Sequence, residues 1–193
     1  MTRIIAGSAG SLTLAVPRSG TRPTSDRVRE AIFSALEARD AIEGATVLDL
    51  YAGSGALGLE AASRGAAEVV LVEKAKSAAD VCRRNADAVT RATRSAGTGA
   101  RIRVAMRSVG SYLEGAAPGF DLVFVDPPYD FYVDRAADMR RLLETLVARV
   151  LRDAEARVIS EHRLREGLGE IAGGKIVDER HYGDTVVTFY ARA

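Results

Sequence analysis

A glycine-rich turn between Asp49 and Gly58 is the first group of residues that could do chemistry. Its glycines Gly53, Gly55 and Gly58 follow the spacing G-x-G-x-x-G, and Glu73 stands about 20 residues after the first of them. Glycines in such a turn let a ligand approach the backbone, and they expose amides at the start of a helix. An acid in the place of Glu73 can accept hydrogen bonds from both hydroxyls of a ribose. The turn therefore predicts a cofactor site, for either a dinucleotide or S-adenosylmethionine.

The acidic residue at the start of the turn, Asp49, favours the second of these cofactors. A dinucleotide would place a pyrophosphate over the turn, where a nearby carboxylate would repel it. S-adenosylmethionine instead carries an ammonium and a sulfonium group, both of which a carboxylate attracts. A turn that binds no ligand is the remaining alternative, and the position of Glu73 speaks against it.

A second group, Asp126-Pro127-Pro128-Tyr129, ends the most apolar predicted strand of the chain. The two prolines fix the backbone and remove two N–H donors, which leaves carbonyl oxygens directed outward. Asp126 and the Pro127 carbonyl can accept hydrogen bonds from an exocyclic amine, and at the carboxyl end of a central strand they would face the cofactor crevice. Tyr129 offers a ring face on which a flat base can stack, an interaction worth about 1–3 kcal/mol. A rigid turn with a core tyrosine is the alternative.

Arginine is distributed unevenly in this chain, whose net charge is only +1. Residues 1–25 contain Arg3, Arg18 and Arg22 and no acidic residue. Residues 83–107 contain seven arginines and a single acid. Arginine binds phosphate through paired hydrogen bonds, although a GC-rich genome also raises the arginine content. The first cluster predicts a contact with nucleic acid, and the second is either such a contact or a solvated face.

Length and composition exclude several classes of protein. A chain of 193 residues predicts one domain, or one domain with a small appendage. One cysteine, Cys82, and two histidines allow no internal disulfide and make a metal site improbable. Cys82 lies among apolar positions of a predicted helix and is expected to be a buried structural thiol. No apolar run reaches the roughly 20 residues of a membrane helix, and no secretory signal is evident, so we expect a cytoplasmic protein without a metal or a membrane contact.

The elements that must position these groups follow from the spacing of apolar residues. Short apolar stretches around residues 7–11 predict an N-terminal β-hairpin. Thr24 or Ser25 can cap a helix that runs to about Ala38. Strands and helices then alternate, with strands predicted over 46–51, 68–73, 101–105, 120–126 and 156–160 and helices over 56–64, 77–90, a short stretch after Ser108, and 134–151.

The last two predicted strands, 175–178 and 185–190, are joined through Gly183-Asp184. So short a link cannot make a parallel crossover, so the two strands should be antiparallel. Alternating strands and helices that end in a hairpin predict an α/β fold with a doubly wound, mostly parallel sheet and an antiparallel edge. The expected organisation is a hairpin extension over residues 1–23 and a catalytic domain over residues 24–193.

These motifs resemble those of a known family. Residues 47–55 together with Asp126–Tyr129 resemble the amino-methyltransferases that use S-adenosylmethionine. Residues 22–30 and 57–64 are more specific, and they resemble the bacterial small-subunit ribosomal RNA guanine-N2 methyltransferases. The resemblance runs from Arg3 to about Arg192 and implies the seven-stranded methyltransferase sheet.

The resemblance also implies an activity, which is methylation of the exocyclic N2 amine of a guanine in a partly assembled small ribosomal subunit. In this reaction Asp126, Pro127 and Tyr129 would hold the target base, and Arg3, Arg18 and Arg22 would contact the RNA. Small-subunit ribosomal RNA is therefore the expected partner, and we expect the protein to act as a monomer.

The predicted cofactor site is assembled from the turn and from the ends of the following strands. The family usually has Asn or Asp after the third sheet strand, where adenine is contacted. Ser108 stands in this place, so its hydroxyl or a backbone amide is expected to make the contact. With these residues included, the predicted site for S-adenosylmethionine contains Asp49, Ala52, Gly53, Ser54, Gly55, Glu73, Lys74, Ser108, Val109 and Asp126.

Other functions stay open at this point. A turn like that at Asp126–Tyr129 suits any planar amine, so adenine in DNA or a protein glutamine is an alternative target. A non-enzymatic RNA-binding assembly factor is another alternative, and the intact Asp126 and Glu73 speak against it. A dinucleotide-dependent oxidoreductase is disfavoured by Asp49 and by the two-proline turn.

Overall fold

The computed structural model describes residues 2–17 and 24–193 and has an α/β fold. Within these residues the strands form a two-stranded antiparallel sheet at the N-terminus and a seven-stranded mixed sheet. The predicted fold class, a doubly wound sheet with an antiparallel edge and an N-terminal hairpin, is confirmed. The chain divides into two compact units, Met1–Gly115 and Ala116–Ala193.

The first unit contains the three parallel strands that carry the glycine-rich turn. Strand β4 pairs in parallel with both β3 and β5, and the register sets Leu50 beside Val72. The carboxyl ends of β3 and β4 are therefore level. The elements of this unit are β1 Thr2–Arg3, β2 Thr13–Leu14, α1 Asp26–Glu37, β3 Thr46–Leu50, α2 Ala56–Ser63, β4 Glu68–Val72, α3 Lys76–Ser95, β5 Arg101–Ala105 and α4 Val109–Glu114.

The first strand of the second unit is fully buried and precedes Asp126. Strand β7 pairs in parallel with β6 and antiparallel with β9, and β9 pairs antiparallel with β8. The predicted antiparallel hairpin through Gly183 is thus confirmed. The elements are β6 Leu122–Val125, α5 Asp130–Asp134, α6 Ala136–Thr145 with a π-helical turn Leu146–Val150, β7 Arg157–Arg163, β8 Gly174–Tyr182 and β9 Thr185–Arg192.

Two helices differ from the sequence prediction. Helix α3 continues to Ser95 instead of ending near residue 90, because buried Val89 and Thr93 extend its apolar stripe by one more turn. The helix predicted over 134–151 forms α6 and its π-helical turn, and a short helix that was not predicted, α5, precedes it and is separated from it by Arg135, with φ −131°. The predicted apolar stripe of α6 nevertheless packs in the core, where Met139 and Leu143 are buried.

The N-terminal hairpin is bound closely to helix α2. The Glu60 carboxylate, buried in that helix, accepts hydrogen bonds from the backbone amides of Ile5 at 2.7 Å and Ala6 at 3.0 Å. Ile4 and Leu14 of the hairpin are also buried. If the hairpin were only an RNA-binding appendage, its removal would leave stability close to wild type. These contacts instead predict that deleting residues 1–23 destabilises the protein, because it exposes apolar surface and leaves Glu60 with fewer partners.

Tyr190 in β9 makes the stability of the fold sensitive to high pH. Its side chain is buried, and its hydroxyl donates to the Gly169 carbonyl oxygen at 3.2 Å. Burial, and then the negative charge of Glu179, raise the pKa of Tyr190 to about 12. An unfolded tyrosine ionises near pH 10, so the folded state holds its proton more tightly between about pH 10 and 12. Stability should therefore be unaffected by Tyr190 below this range and fall as the pH rises through it.

Urea unfolding of wild type and Tyr190→Phe between pH 8 and pH 11 tests this expectation. Phenylalanine keeps the ring but cannot ionise, so the variant should lose less of its free energy of unfolding above about pH 10. Equal losses in the two proteins would show that Tyr190 does not contribute.

Candidate functional site

The turn after β3 is built from backbone in the left-handed region. Tyr51, Gly53 and Gly55 have φ values of +64°, +55° and +81°. Glycine adopts this region without penalty, whereas for a side chain such as that of Tyr51 it costs about 1–2 kcal/mol. Backbone strain of this kind is often found at functional sites. Gly55 is also crowded, because a Cβ there would lie 3.1 Å from the Cys82 sulfur.

Asp49 and Gly58 join the turn to the sheet. The Asp49 side chain is buried, and its Oδ2 accepts a hydrogen bond from the Gly58 amide at 2.9 Å. This places a carboxylate at the start of α2, where the helix dipole favours negative charge. A Cβ on Gly58 would lie 2.4 Å from Leu71 Cδ2, so glycine allows α2 to pack directly against the sheet. Asp49 thus has a structural role, and attraction of cofactor charges by this residue stays a prediction.

The structure brings Glu73 to the glycine-rich turn, as the spacing predicts. Its Oε2 accepts a hydrogen bond from the Gly53 amide at 3.0 Å, and its Oε1 accepts one from the Ala75 amide at 2.7 Å. The side chain is half-buried. A carboxylate has about four lone-pair positions, so these two bonds fix its direction and leave acceptor capacity. Glu73 therefore fits a ligand that offers two hydroxyl donors.

The other predicted cofactor residues of the first unit differ in their exposure to solvent. Ala52 and Ser54 are buried in the turn, whereas Lys74 is exposed directly after Glu73. Ser108 is exposed and caps α4, where its Oγ accepts a hydrogen bond from the Ser111 amide at 3.2 Å. Val109 is the first residue of that helix and is half-buried. Ser108 is thus a helix cap, and its contact with adenine stays a prediction.

Asn85 is a residue of this region that the sequence analysis missed. It is buried in α3, and its amide makes three hydrogen bonds. Oδ1 accepts from the Ala15 amide at 2.9 Å, and Nδ2 donates to the carbonyl oxygens of Ala15 at 2.9 Å and Ser54 at 2.8 Å. Asn85 therefore fastens the N-terminal segment to the glycine-rich turn. A polar residue within the apolar stripe of a helix was the signal for it.

Replacing Asn85 by alanine is expected to reduce both stability and affinity for S-adenosylmethionine. Two backbone groups of Ala15 and the buried Ser54 carbonyl lose their hydrogen bonds, and a buried group that stays unsatisfied costs about 1–3 kcal/mol. The control is Ser63→Ala, because Ser63 Oγ bonds to the N-terminal segment at Ala6 and Ala9 without touching the turn. Thermal unfolding and calorimetric titration of both variants should show destabilisation in each but weaker cofactor binding only in Asn85→Ala. Equal cofactor affinities would contradict the role of Asn85 at the turn.

In the second unit the Asp126–Tyr129 segment follows β6 directly, as predicted. Asp126 and Tyr129 are half-buried, and Pro127 is buried. The Pro128 carbonyl accepts a hydrogen bond from the Phe131 amide at 2.9 Å, which closes the turn and starts α5. The Pro128 oxygen therefore serves the turn, and the Pro127 carbonyl is the one predicted to face a target amine.

Tyr129 is held by residues of β7 that the sequence analysis did not connect with it. Its hydroxyl donates to Glu161 Oε1 at 3.0 Å, and the Arg163 guanidinium lies 4.8 Å from the centre of its ring. Burial, and then the charge of Glu161, raise the pKa of Tyr129 to about 12. The phenol therefore stays protonated at neutral pH and cannot serve there as a base. Only tertiary structure brings these residues together, so no local pattern could reveal them.

The remaining candidate residues have structural settings. His162 is buried, and its ring nitrogens contact Thr188 Oγ1 at 3.0 Å and the Arg163 carbonyl oxygen at 2.8 Å. Cys82 is buried, as predicted, and burial raises the pKa of its thiol. In residues 2–17 and 24–193 no cluster of His, Cys, Asp or Glu is arranged to hold a metal ion. No helix in the same residues has the length and apolar character needed to cross a membrane.

Of the residues predicted to contact RNA, the structure describes Arg3. Its side chain is 64% exposed and lies 3.6 Å from the carboxylate of Asp26. Arg18 and Arg22 lie outside the described residues.

Comparison with known proteins gives a family that spans nearly the whole chain. The family model described as Conserved hypothetical protein 95 matches residues 2–191. The Escherichia coli (strain K12) protein named Ribosomal RNA small subunit methyltransferase D is 42% identical over 128 residues, which are 66% of this chain and 60% of that protein. The Bacillus subtilis (strain 168) protein named "Putative rRNA methyltransferase YlbH" is 30% identical over 195 residues. The match covers 98% of this chain and 98% of that protein.

Solved structures show the same likeness in three dimensions. The structure named "Putative methyltransferase yhhF" from Escherichia coli has a TM-score of 0.80 and 31% identity over 99% of this chain and 97% of that one. A hypothetical protein of Thermus thermophilus has a TM-score of 0.75 and 34% identity over 98% of both chains. The predicted methyltransferase sheet is thus confirmed, and the chain belongs to the Conserved hypothetical protein 95 family, as a relative of proteins named ribosomal RNA small subunit methyltransferase D.

Proposed function

We propose that this protein transfers a methyl group from S-adenosylmethionine to the exocyclic N2 amine of a guanine in small-subunit ribosomal RNA. The observation that carries this proposal is the Asp126–Tyr129 turn at the end of β6, in a chain whose relatives are named as ribosomal RNA methyltransferases. An assembling small subunit is the proposed substrate, and the protein acts on it as a monomer. Residues 24–193 form the proposed catalytic domain.

The glycine-rich turn supports S-adenosylmethionine as the cofactor. When bound, this cofactor supplies a methyl group on a positively charged sulfur. Glu73, fixed by the Gly53 and Ala75 amides, accepts hydrogen bonds from the two ribose hydroxyls. Ala52, Ser54 and Gly55 line the cofactor, and Lys74, Ser108 and Val109 follow the next two strands and complete its site on the adenosine side.

Asp126 and the Pro127 carbonyl act on the target amine. The lone pair of a guanine N2 is delocalised into the ring, so the amine is a weak nucleophile. By accepting the hydrogens of the amine, these two oxygens increase the electron density on nitrogen and fix the direction of its lone pair. Orientation of this kind supplies a large part of the rate in enzymes. Asp126 can also take the proton that the amine loses.

Tyr129 holds the plane of the target base. A base that is looped out of its stack can lie on the ring, and such stacking contributes about 1–3 kcal/mol. Because the hydroxyl is fixed by Glu161, the ring presents a defined plane to the base. Since the phenol stays protonated at neutral pH, its contribution is to position the base.

Tritiated methyl transfer tests the proposed activity. The purified protein is incubated with labelled S-adenosylmethionine and with naked ribosomal RNA, small ribosomal subunits, or DNA, and the labelled nucleoside is identified after digestion. We expect label in N2-methylguanosine from subunits or ribosomal RNA. Label in adenine of DNA, or on a protein glutamine, would overturn the proposed substrate, and no transfer to any substrate would overturn the proposed activity.

The N-terminal segment, residues 1–23, is proposed to contact RNA, and residues 5 and 6 of it also bind α2. Each phosphate contact releases counterions, and for single strands the logarithm of the affinity falls by about 0.7 per contact for each tenfold rise in salt. Changing Arg3, Arg18 and Arg22 together to alanine should therefore make the plot of log affinity against log salt concentration shallower, by up to about 2 in slope. Filter binding over a salt series measures this.

Substitution is preferred over deletion here because the hairpin also packs against α2. The matched control replaces three exposed arginines of the second unit, Arg135, Arg141 and Arg149, by alanine. It changes the net charge equally and should leave the slope close to wild type. An N-terminal variant with an unchanged slope would show that the segment has a structural role only.

A further inference from the structure

The carboxyl end of β7 presents two charged side chains to Tyr129. Residues two apart in a strand lie on the same face, and Glu161 and Arg163 both contact this tyrosine. His162, between them, is buried among other partners. The last residues of β7 thus form a clamp on Tyr129, which consists of Glu161 and Arg163.

Glu161 fixes the hydroxyl end of the ring. Its side chain is buried, and its Oε1 accepts a hydrogen bond from the Tyr129 hydroxyl at 3.0 Å. A hydrogen bond to a charged acceptor is about twice as strong as a neutral one. The long axis of Tyr129 is therefore set by β7.

Arg163 fixes the face of the ring. Its guanidinium lies 4.8 Å from the ring centre, and its side chain is 56% exposed and lies 3.8 Å from Glu166. A cation over a tyrosine face is attracted to it by about 0.5–1 kcal/mol at an exposed site. With one face covered in this way, the proposed stacking of the base would use the other face.

We propose that Glu161 and Arg163 are positioning residues for methyl transfer, which act by holding Tyr129 in the plane that the target base requires. This inference rests on the proposed role of Tyr129 in stacking the base. A tyrosine side chain that is free to rotate would allow the base to move by an ångström or more, and a displacement of that size can cost about a hundredfold in rate. A purely structural anchor would not need a buried carboxylate, which is expensive to desolvate.

Single-turnover methyl transfer tests the clamp. The substrate is small ribosomal subunits from a host strain in which this gene is deleted, with saturating S-adenosylmethionine. Glu161→Ala should slow the reaction at least tenfold, with the affinity for the cofactor unchanged. Glu161→Gln keeps an oxygen that accepts the Tyr129 hydroxyl, so its rate should stay within a few-fold of wild type.

A double-mutant cycle shows whether Glu161 acts through Tyr129. Residues that act through one contact have non-additive effects, so Glu161→Ala combined with Tyr129→Phe should be no slower than the slower single variant. Multiplicative losses would overturn the inference, and so would a wild-type rate in Glu161→Ala. If Glu161→Ala does not fold, Glu161→Leu in its place tests the same cycle.

Arg163→Ala should lower the rate, whereas the nearby exposed Arg165→Ala, which makes the same change in charge, should not. Equal losses in both would show a general effect of charge on RNA binding and overturn the part assigned to Arg163. Failure of the proposed function gives a different result, because wild type itself would then transfer no methyl group to the subunits. Failure of the stacking role alone would leave Tyr129→Ala at the wild-type rate. A slow Tyr129→Ala with an unaffected Glu161→Ala overturns the clamp alone.

Discussion

Replacing Asp126 by alanine is expected to slow methyl transfer about a hundredfold or more while changing the affinity for S-adenosylmethionine far less. The carboxylate is the proposed acceptor of a hydrogen from the target amine, and its removal leaves the amine without the group that directs its lone pair. Misplacement of the reacting atom by about an ångström has an effect of this size. Single-turnover rates with small ribosomal subunits, together with calorimetric cofactor titrations, separate the two quantities.

Strand β6 offers a matched control for this substitution. Asp121 immediately precedes the strand and binds Arg152 at 2.6 Å. Asp121→Ala therefore removes a carboxylate of the same kind, but near the opposite end of the strand. It should keep the wild-type rate, provided that the protein folds. A wild-type rate in Asp126→Ala would show that the proposed mechanism is wrong, and an equal loss in both variants would show a general effect on the strand.

The main elements could be predicted because each has a local cause. Ser25 caps α1 through a hydrogen bond from the Val28 amide at 3.3 Å, as its place before an apolar stripe predicts. The apolar run before Asp126 forms a strand that is buried throughout. Gly53 and Glu73 lie together because parallel strands of equal length end at one edge of a sheet. In each case the signal and the contact lie within one or two neighbouring elements.

The contacts that sequence reasoning missed join residues far apart in the chain. Asn85 reaches Ala15, 70 residues away, and Glu161 reaches Tyr129, 32 residues away. Contacts between residues so far apart leave no periodic pattern in the sequence, because they depend on how the elements pack. The attachment of the N-terminal hairpin has the same cause, since its bond to Glu60 exists only once α2 is packed against it. Local patterns therefore predicted the proposed binding groups but not the residues that hold them in place.

Replacing Glu73 by alanine is expected to weaken the binding of S-adenosylmethionine by about 10- to 150-fold. This corresponds to the loss of about 1.5–3 kcal/mol for hydrogen bonds to a charged group. Part of the loss could come from the turn itself, because the carboxylate also holds the amides of Gly53 and Ala75. A cofactor analogue that lacks the ribose 2′-hydroxyl separates the two contributions.

If Glu73 accepts the ribose hydroxyls, the analogue should bind more weakly than S-adenosylmethionine to wild type but almost equally well to Glu73→Ala. If the residue only supports the turn, the variant should lose the same factor for both ligands. Glu68→Ala, at the other end of β4, is the control, because Glu68 lies near Arg101 and Arg103 and far from the turn. Unchanged affinity in Glu73→Ala would remove the residue from the site, and with it the main support for S-adenosylmethionine as the cofactor.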